Sequence, residues 1–169
     1  MTKQDLSLLG REDAFSLIGN EWMLVTAGTA DKCNTMTASW GGFGYLWNKP
    51  VAFIFIRPER YTHVFIEQQE RLTLSFYAPE YRKALQYCGT TSGRDADKAQ
   101  ACGLTPVQLP TGAITFAQAR LTVDGRKIFQ TEMTEANFLD KSILTRWYGE
   151  REGGLHTVYV VEIEGIYTA

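Results

Sequence analysis

Histidine and cysteine are scarce in this 169-residue sequence, with two of the first and three of the second. Cys33, Cys88 and Cys102 form no Cys-x-x-Cys pair and cannot all be bridged, and His63 and His156 stand far apart, so no metal-ligand spacing is present. Scattered unpaired thiols suit a reducing compartment, which makes a cytoplasmic protein the expectation. Neither charge sign dominates: 17 Lys and Arg against 19 Asp and Glu leave a formal net charge of -2. That balance gives no general attraction to nucleic acid or to an anionic membrane, so any anion site must be local. The longest apolar run, Val51–Ile56, falls far short of the ~20 residues that span a bilayer. The first 16 residues carry Asp5, Arg11, Glu12 and Asp13, so no signal peptide is expected there. Also missing are a G-x-G-x-x-G after a strand, a G-x-x-x-x-G-K-[ST] loop, a fixed-period repeat and a low-complexity linker. The chain therefore reads as one continuous domain, residues 1–169, without a Rossmann or Walker nucleotide site.

Aromatic residues are plentiful, at 12% of the chain. They suit a β-rich core, a pocket lining or a subunit interface, and composition does not choose among these. Short strands are expected at Trp22–Ala27 and Val51–Ile56, the latter apolar on both alternating faces. Leu72, Leu74 and Phe76 alternate with Thr73, Ser75 and Tyr77, as in a half-buried strand. Ile114–Val123 and Arg126–Met133 flank Asp124-Gly125, a type I′ turn pair, and read as a hairpin. Thr157–Ile166 closes the set. Helices are expected at Thr62–Gln69 with Thr62 as cap, at Pro79–Cys88, at Asp95–Cys102 and, more weakly, at Asn137–Trp147. About six or seven strands with antiparallel connections and helices at corners argue for a mainly β protein, a closed or partly closed barrel.

Three segments concentrate small polar or basic residues beside expected strand ends. Asn34-Thr35-Met36-Thr37-Ala38-Ser39-Trp40 offers a strip along which a backbone can approach a planar ring. Arg57-Pro58-Glu59-Arg60-Tyr61-Thr62 runs from a strand into a helix start, where free amides and guanidinium forks suit phosphate. Ser92-Gly93-Arg94-Asp95-Ala96-Asp97-Lys98 adds a hydroxyl, close backbone approach and an ammonium. Taken alone, the first is equally an edge strand with a glycine-rich turn, and the other two read first as a solvated basic pair and a capped helix. In order, they form an anion-and-ring site.

The ordered set, followed by Gly103-Leu104-Thr105-Pro106, resembles the flavin reductase-like family of FMN-binding split barrels, in its flavoredoxin branch, over roughly residues 22–167. The resemblance implies a Greek-key split β-barrel that forms a homodimer and binds FMN non-covalently. It implies that Thr37, Ala38, Ser39 and Trp40 lie along the isoalloxazine, with Asn34 and Met36 as neighbours. Arg57, Arg60, Tyr61 and Thr62 would hold phosphate and ribityl, with Ser92, Gly93 and Lys98 completing that pocket. Many family members carry Gly-Asp-His before the last strand, associated with a nicotinamide substrate. Here Gly153-Gly154-Leu155-His156 keeps the histidine without the acidic residue. His156 is thus either the nicotinamide contact or a partly exposed strand-edge histidine.

No side chain need act as nucleophile, since the chemistry would belong to the flavin. The implied function is an FMN-dependent oxidoreductase, either an NAD(P)H:flavin reductase or a flavoredoxin-like protein that passes electrons to a redox partner protein. The alternative is a non-enzymatic FMN electron carrier reduced by a partner. A third reading, an aromatic-rich barrel for single-stranded nucleic acid, is opposed by the net charge.

Overall fold

The computed structural model describes residues 1–149 and 153–169. Among them the first strands are β1 (Thr2–Gln4), β2 (Met23–Gly28), β3 (Cys33–Ala38), β4 (Gly41–Leu46) and β5 (Lys49–Ile56). Next come α1 (Tyr61–Gln68), β6 (Arg71–Phe76), α2 (Arg82–Thr90), α3 (Lys98–Ala101) and β7 (Pro106–Gln108). The chain ends with β8 (Ile114–Phe116), β9 (Leu121–Glu132), α4 (Ser142–Trp147) and β10 (Thr157–Thr168). No helix among the described residues is long and apolar enough to cross a membrane.

The main sheet is antiparallel in the order β3-β2-β6-β9-β10-β5-β4, with β1 added to β10. Its end strands, β3 and β4, are consecutive in the chain and separated only by Ser39 and Trp40. Six strand spacings of about 4.8 Å would hold the ends of a flat sheet roughly 29 Å apart. The three peptide steps from Ala38 to Gly41 reach only about 11 Å. The sheet must therefore curl until β3 and β4 are neighbours. They do not pair with each other, so the barrel is split along that seam.

Side-chain alternation then builds two cores. On β2, Met23, Val25 and Ala27 enter the barrel interior with Met36, Ile54, Ile56, Leu72, Leu74 and Tyr159. Leu24 points the other way, into a cluster with Leu85 and Cys88 of α2 and with Phe116. Burying Leu85 contributes roughly 1.5–3 kcal/mol towards holding α2 against the outside of β2 and β3. The Cys88 and Cys102 sulfurs lie 4.0 Å apart and both cysteines are free thiols.

Several local expectations are corrected. Asp124-Gly125 is not a turn, because β9 runs straight through it. A side chain on Gly125 would run into Val161 and the Glu162 carbonyl, so glycine serves close strand approach there, beside a register shift on β10. Asp124 is fully buried and accepts a hydrogen bond from the Thr111 hydroxyl at 2.7 Å. The reversal lies upstream, where the Ala119 amide donates to the Phe116 carbonyl at 3.0 Å. The Leu72–Phe76 strand is buried on both faces, since Thr73 Oγ1 donates to the Ile114 carbonyl at 2.6 Å and Ser75 meets Thr115 at 2.9 Å. Thr62 is not a cap; Arg60 occupies that position, and the Thr62 hydroxyl accepts from Asn34 Nδ2 at 2.7 Å. The expected helix at Asp95–Cys102 shrinks to α3, capped by Asp97, whose carboxylate accepts from the Gln100 amide. That at Asn137–Trp147 shrinks to α4 after a separate 3-10 turn at Glu135–Asn137. The helix expected to stop before Gly89 continues to Thr90.

Candidate functional site

The split seam carries the site. As the end strand, β3 leaves its outer backbone edge unpaired, and the chain from Met36 to Trp40 lines a cavity of about 190 Å3 with Phe55, Arg57, Arg60 and Gly89. Thr37 directs its hydroxyl to the Leu85 carbonyl of α2, at 2.5 Å. What it offers the cavity is therefore main chain. Gly89 lets α2 approach closely, since a Cβ there would already lie 3.4 Å from the Thr37 Cβ.

This cavity continues, through Met36 and Arg60, into a smaller cradle of about 140 Å3. Its walls are Glu59, Arg60, Tyr61 and Thr62 at the start of α1, the Thr90-Thr91-Ser92-Gly93 run leaving α2, and Lys98. The first amides of α1 have no partner within the helix and carry partial positive charge. Lys98 is 4% exposed, and its ammonium donates to the Cys88 carbonyl at 3.2 Å. Burial pushes its pKa down to about 8; the neighbouring Arg60 adds to the depression, while Cys88 opposes it. Arg60 is itself lowered, by burial and then by Arg57. Among the described residues no carboxylate forms an ion pair with Arg57, Arg60 or Lys98. Of the two carboxylates adjacent in sequence, Glu59 accepts from the Gly154 amide at 2.5 Å and Asp97 from the Gln100 amide at 3.0 Å. Half-buried cations without a counter-charge are costly, and an anion in the cradle removes that cost.

The structure thus gathers Met36, Thr37, Ala38, Ser39 and Trp40 on one wall and Arg60, Tyr61, Thr62, Ser92, Gly93 and Lys98 around the cradle. Asn34 stands behind, tied to Thr62, and its amide is the reason position 93 is glycine: a Cβ there would collide with the Asn34 side-chain oxygen. Arg57 lines the strip and not the cradle. Its Nη2 donates to the Trp147 carbonyl at 2.9 Å, its guanidinium lies 5.3 Å from the Tyr148 ring centroid, and its Nη1 is buried without a hydrogen-bond partner among the described residues.

Beyond Trp40 and Phe55 opens an apolar cup of about 400 Å3, closed by Met133, Phe138, Ile143, Trp147 and Tyr148. Trp40 meets Trp147 edge-on, with centroids 5.3 Å apart. His156 sits behind this cup, 6% exposed and 2.8 Å from the Tyr148 hydroxyl, so it is not the partly exposed strand-edge residue of one expectation. Burial, then the Arg57 cation, pushes its pKa down to about 4 against the opposing pull of Glu59, and the ring is neutral at pH 7. Sequence reasoning missed Phe55, Thr90, Thr91, Trp147 and Tyr148. Phe55 was legible, since it stands two residues before Arg57, near the end of β5, and both line the same cavity. The α4 residues gave no signal, because their partners are distant in sequence.

A family model described as the flavin reductase like domain matches residues 15–169. No curated protein matches. Among solved structures, the flavoredoxin of Desulfovibrio vulgaris (Miyazaki F) is 21% identical, with a TM-score of 0.69 over 99% of this chain and 77% of that one. An FMN-binding protein from Thermus thermophilus, solved with p-hydroxybenzaldehyde, is 20% identical, with a TM-score of 0.66 over 88% and 71%. The NADH:FAD oxidoreductase SgcE6 of Streptomyces globisporus C-1027 is 16% identical, with a TM-score of 0.64 over 88% and 75%. At these identities the likeness to solved structures speaks for the split-barrel fold alone, whereas the domain match spans nearly the whole sequence: the chain belongs to the flavin reductase-like family.

Proposed function

We propose that this protein binds FMN along the β3 edge and acts as a flavin-dependent oxidoreductase. The observation that carries the reading is the cradle, in which Arg60, Lys98 and the α1 amides surround about 140 Å3 without a carboxylate ion-pair partner among the described residues, next to a main-chain strip with which it shares Met36 and Arg60. The residues present fit a flavin mononucleotide: a dianion for the cradle, hydroxyls for Ser92 and the threonines, and a flat ring for the strip.

Arg60 and Lys98 bind and orient the phosphate, Gly93 admits it, and Thr62 is fixed by Asn34 so that α1 keeps its amides aimed there. Thr37, Ala38 and Ser39 present backbone groups to the polar ring edge. Arg57, held by the Trp147 carbonyl, keeps a positive charge beside the ring strip, which favours negative charge developing there. Trp40 and Phe55 exclude water from one side. When bound, FMN supplies the hydride and single-electron chemistry that no side chain here provides.

Two uses follow, with NAD(P)H as reductant or with reduction by a partner protein. His156 bears on the choice: buried and paired with Tyr148, it is held away from a nicotinamide, which favours reduction of the flavin by a partner protein. The exposed Trp47 and Phe129, whose rings meet edge-on, and the exposed Trp40 and Trp147, which do the same, support a homodimer that covers such apolar surface. Purified protein carrying FMN is mixed with NADH or NADPH and then with free flavin. Multiple turnover supports a reductase, and a single or absent turnover with intact FMN binding supports a carrier. Release of no flavin on denaturation, with no uptake of added FMN, overturns both.

A further inference from the structure

Flavin chemistry leaves the cysteine thiols unused, and two of them stand together. Cys88 lies in the last turn of α2. Cys102 directly follows α3, where its amide donates to the Lys98 carbonyl at 3.1 Å. The two sulfurs are 4.0 Å apart, and a disulfide bond is about 2.05 Å long, so side-chain rotation has about 2 Å to close. Cys33, at the start of β3, has neither thiol as a partner among the described residues.

The pair brackets the cradle. Between Cys88 and Cys102 run Thr90, Thr91, Ser92 and Gly93, which wall it, and Lys98, whose ammonium donates to the Cys88 carbonyl at 3.2 Å. One sulfur thus sits where this loop leaves α2 and the other where it returns. Burial, and then the neighbouring Cys102, push the Cys88 thiol up to about 12 against the opposing pull of Lys98. Cys88 is buried and stays protonated, whereas Cys102 is half-buried and meets an oxidant first.

We propose that Cys88 and Cys102 form a reversible disulfide that holds the cradle loop closed, with a peroxide as oxidant and a dithiol as reductant. The Cys102 sulfur attacks one peroxide oxygen and gives up its proton; the S–O bond forms as the O–O bond breaks, and water leaves. The Cys88 sulfur then attacks the resulting sulfenic acid. The S–S bond forms as the S–O bond breaks, and the departing hydroxide takes the Cys88 proton as a second water. Two thiols thereby lose two electrons and two protons, and one hydrogen peroxide becomes two waters. Two exchanges with a dithiol, itself oxidised to a disulfide, restore the thiols. A link across the ends of the loop limits its opening, so a flavin in the cradle leaves more slowly. The bridge stands on the sulfur geometry, and its effect on FMN rests on the flavin reading above.

The full chain, reduced with dithiothreitol and desalted, is given one equivalent of hydrogen peroxide. Thiols counted after denaturation should fall from three to one, peptide mapping should find Cys88 linked to Cys102, and dithiothreitol should restore all three. FMN release, followed by the return of flavin fluorescence on dilution, should be at least threefold slower from the oxidised protein. Cys102→Ser should form no link and show no such slowing. Cys88→Ser should behave alike, and circular dichroism confirms that each variant is folded. A link through Cys33, oxidation of Cys102 without a link, or a link that slows FMN release less than threefold would overturn the proposal. Failure of both redox forms to bind FMN would remove the flavin reading instead, while the peptide map still judges the bridge.

Discussion

Replacing Lys98 with methionine removes one buried charge while keeping an unbranched chain of similar length. A hydrogen bond to a charged partner is worth about 1.5–3 kcal/mol. At about 1.4 kcal/mol per decade of affinity, Lys98→Met should weaken FMN about 10–150-fold. Riboflavin has no phosphate, so its affinity should change by less than about threefold, and the preference for FMN over riboflavin should collapse. The ligand-free variant should unfold at a higher temperature than wild type, because a buried ammonium with a single partner among the described residues is replaced by an apolar group that needs none. Wild-type FMN affinity should fall as pH rises through about 8, since above its lowered pKa Lys98 must take up a proton to meet the phosphate. Quenching of flavin fluorescence measures both flavins across pH, and calorimetry gives the melting temperatures. Equal losses for riboflavin and FMN, or an FMN affinity unchanged by the substitution, would refute the assignment of Lys98 to a phosphate.

Gly93→Ala should weaken FMN at least tenfold, because its methyl group would displace the Asn34 amide that fixes Thr62; a variant that binds as wild type would show the cradle tolerates a side chain. The His156 ring should titrate near pH 4 by nuclear magnetic resonance, below its ordinary 6.5. Between those values the unfolded chain binds the extra proton, so stability should fall as pH drops from about 6.5 towards 4, and less steeply in His156→Gln; a ring that titrates near 6.5 would contradict its burial beside Arg57.

Much of the barrel was legible because period-two alternation holds along stretches such as Tyr159, Val161 and Ile163 of β10, although the register shift between Ile163 and Gly165 then brings Ile166 into the same core. Asp124-Gly125 misled for a physical reason: the same absence of a Cβ that suits a tight turn also suits a strand crowded by Val161. Thr73 and Ser75 looked solvent-facing by type, yet Ile114 and Thr115 cover them through hydroxyl bonds that no local pattern announces. The cradle was readable from Arg60, Ser92, Gly93 and Lys98, since phosphate chemistry restricts the residue types it accepts. The division of labour between Arg57 and Arg60 was not, because it depends on α4 reaching back over 90 residues to engage Arg57 through the Trp147 carbonyl.

The central claim is that a buried cationic cradle and the bare edge of β3 together hold a flavin mononucleotide. Stripped, folded protein titrated with FMN should quench flavin fluorescence and Trp40 emission together and saturate at one flavin per chain. Titration with no change in either signal, on protein whose fold is intact, would contradict it.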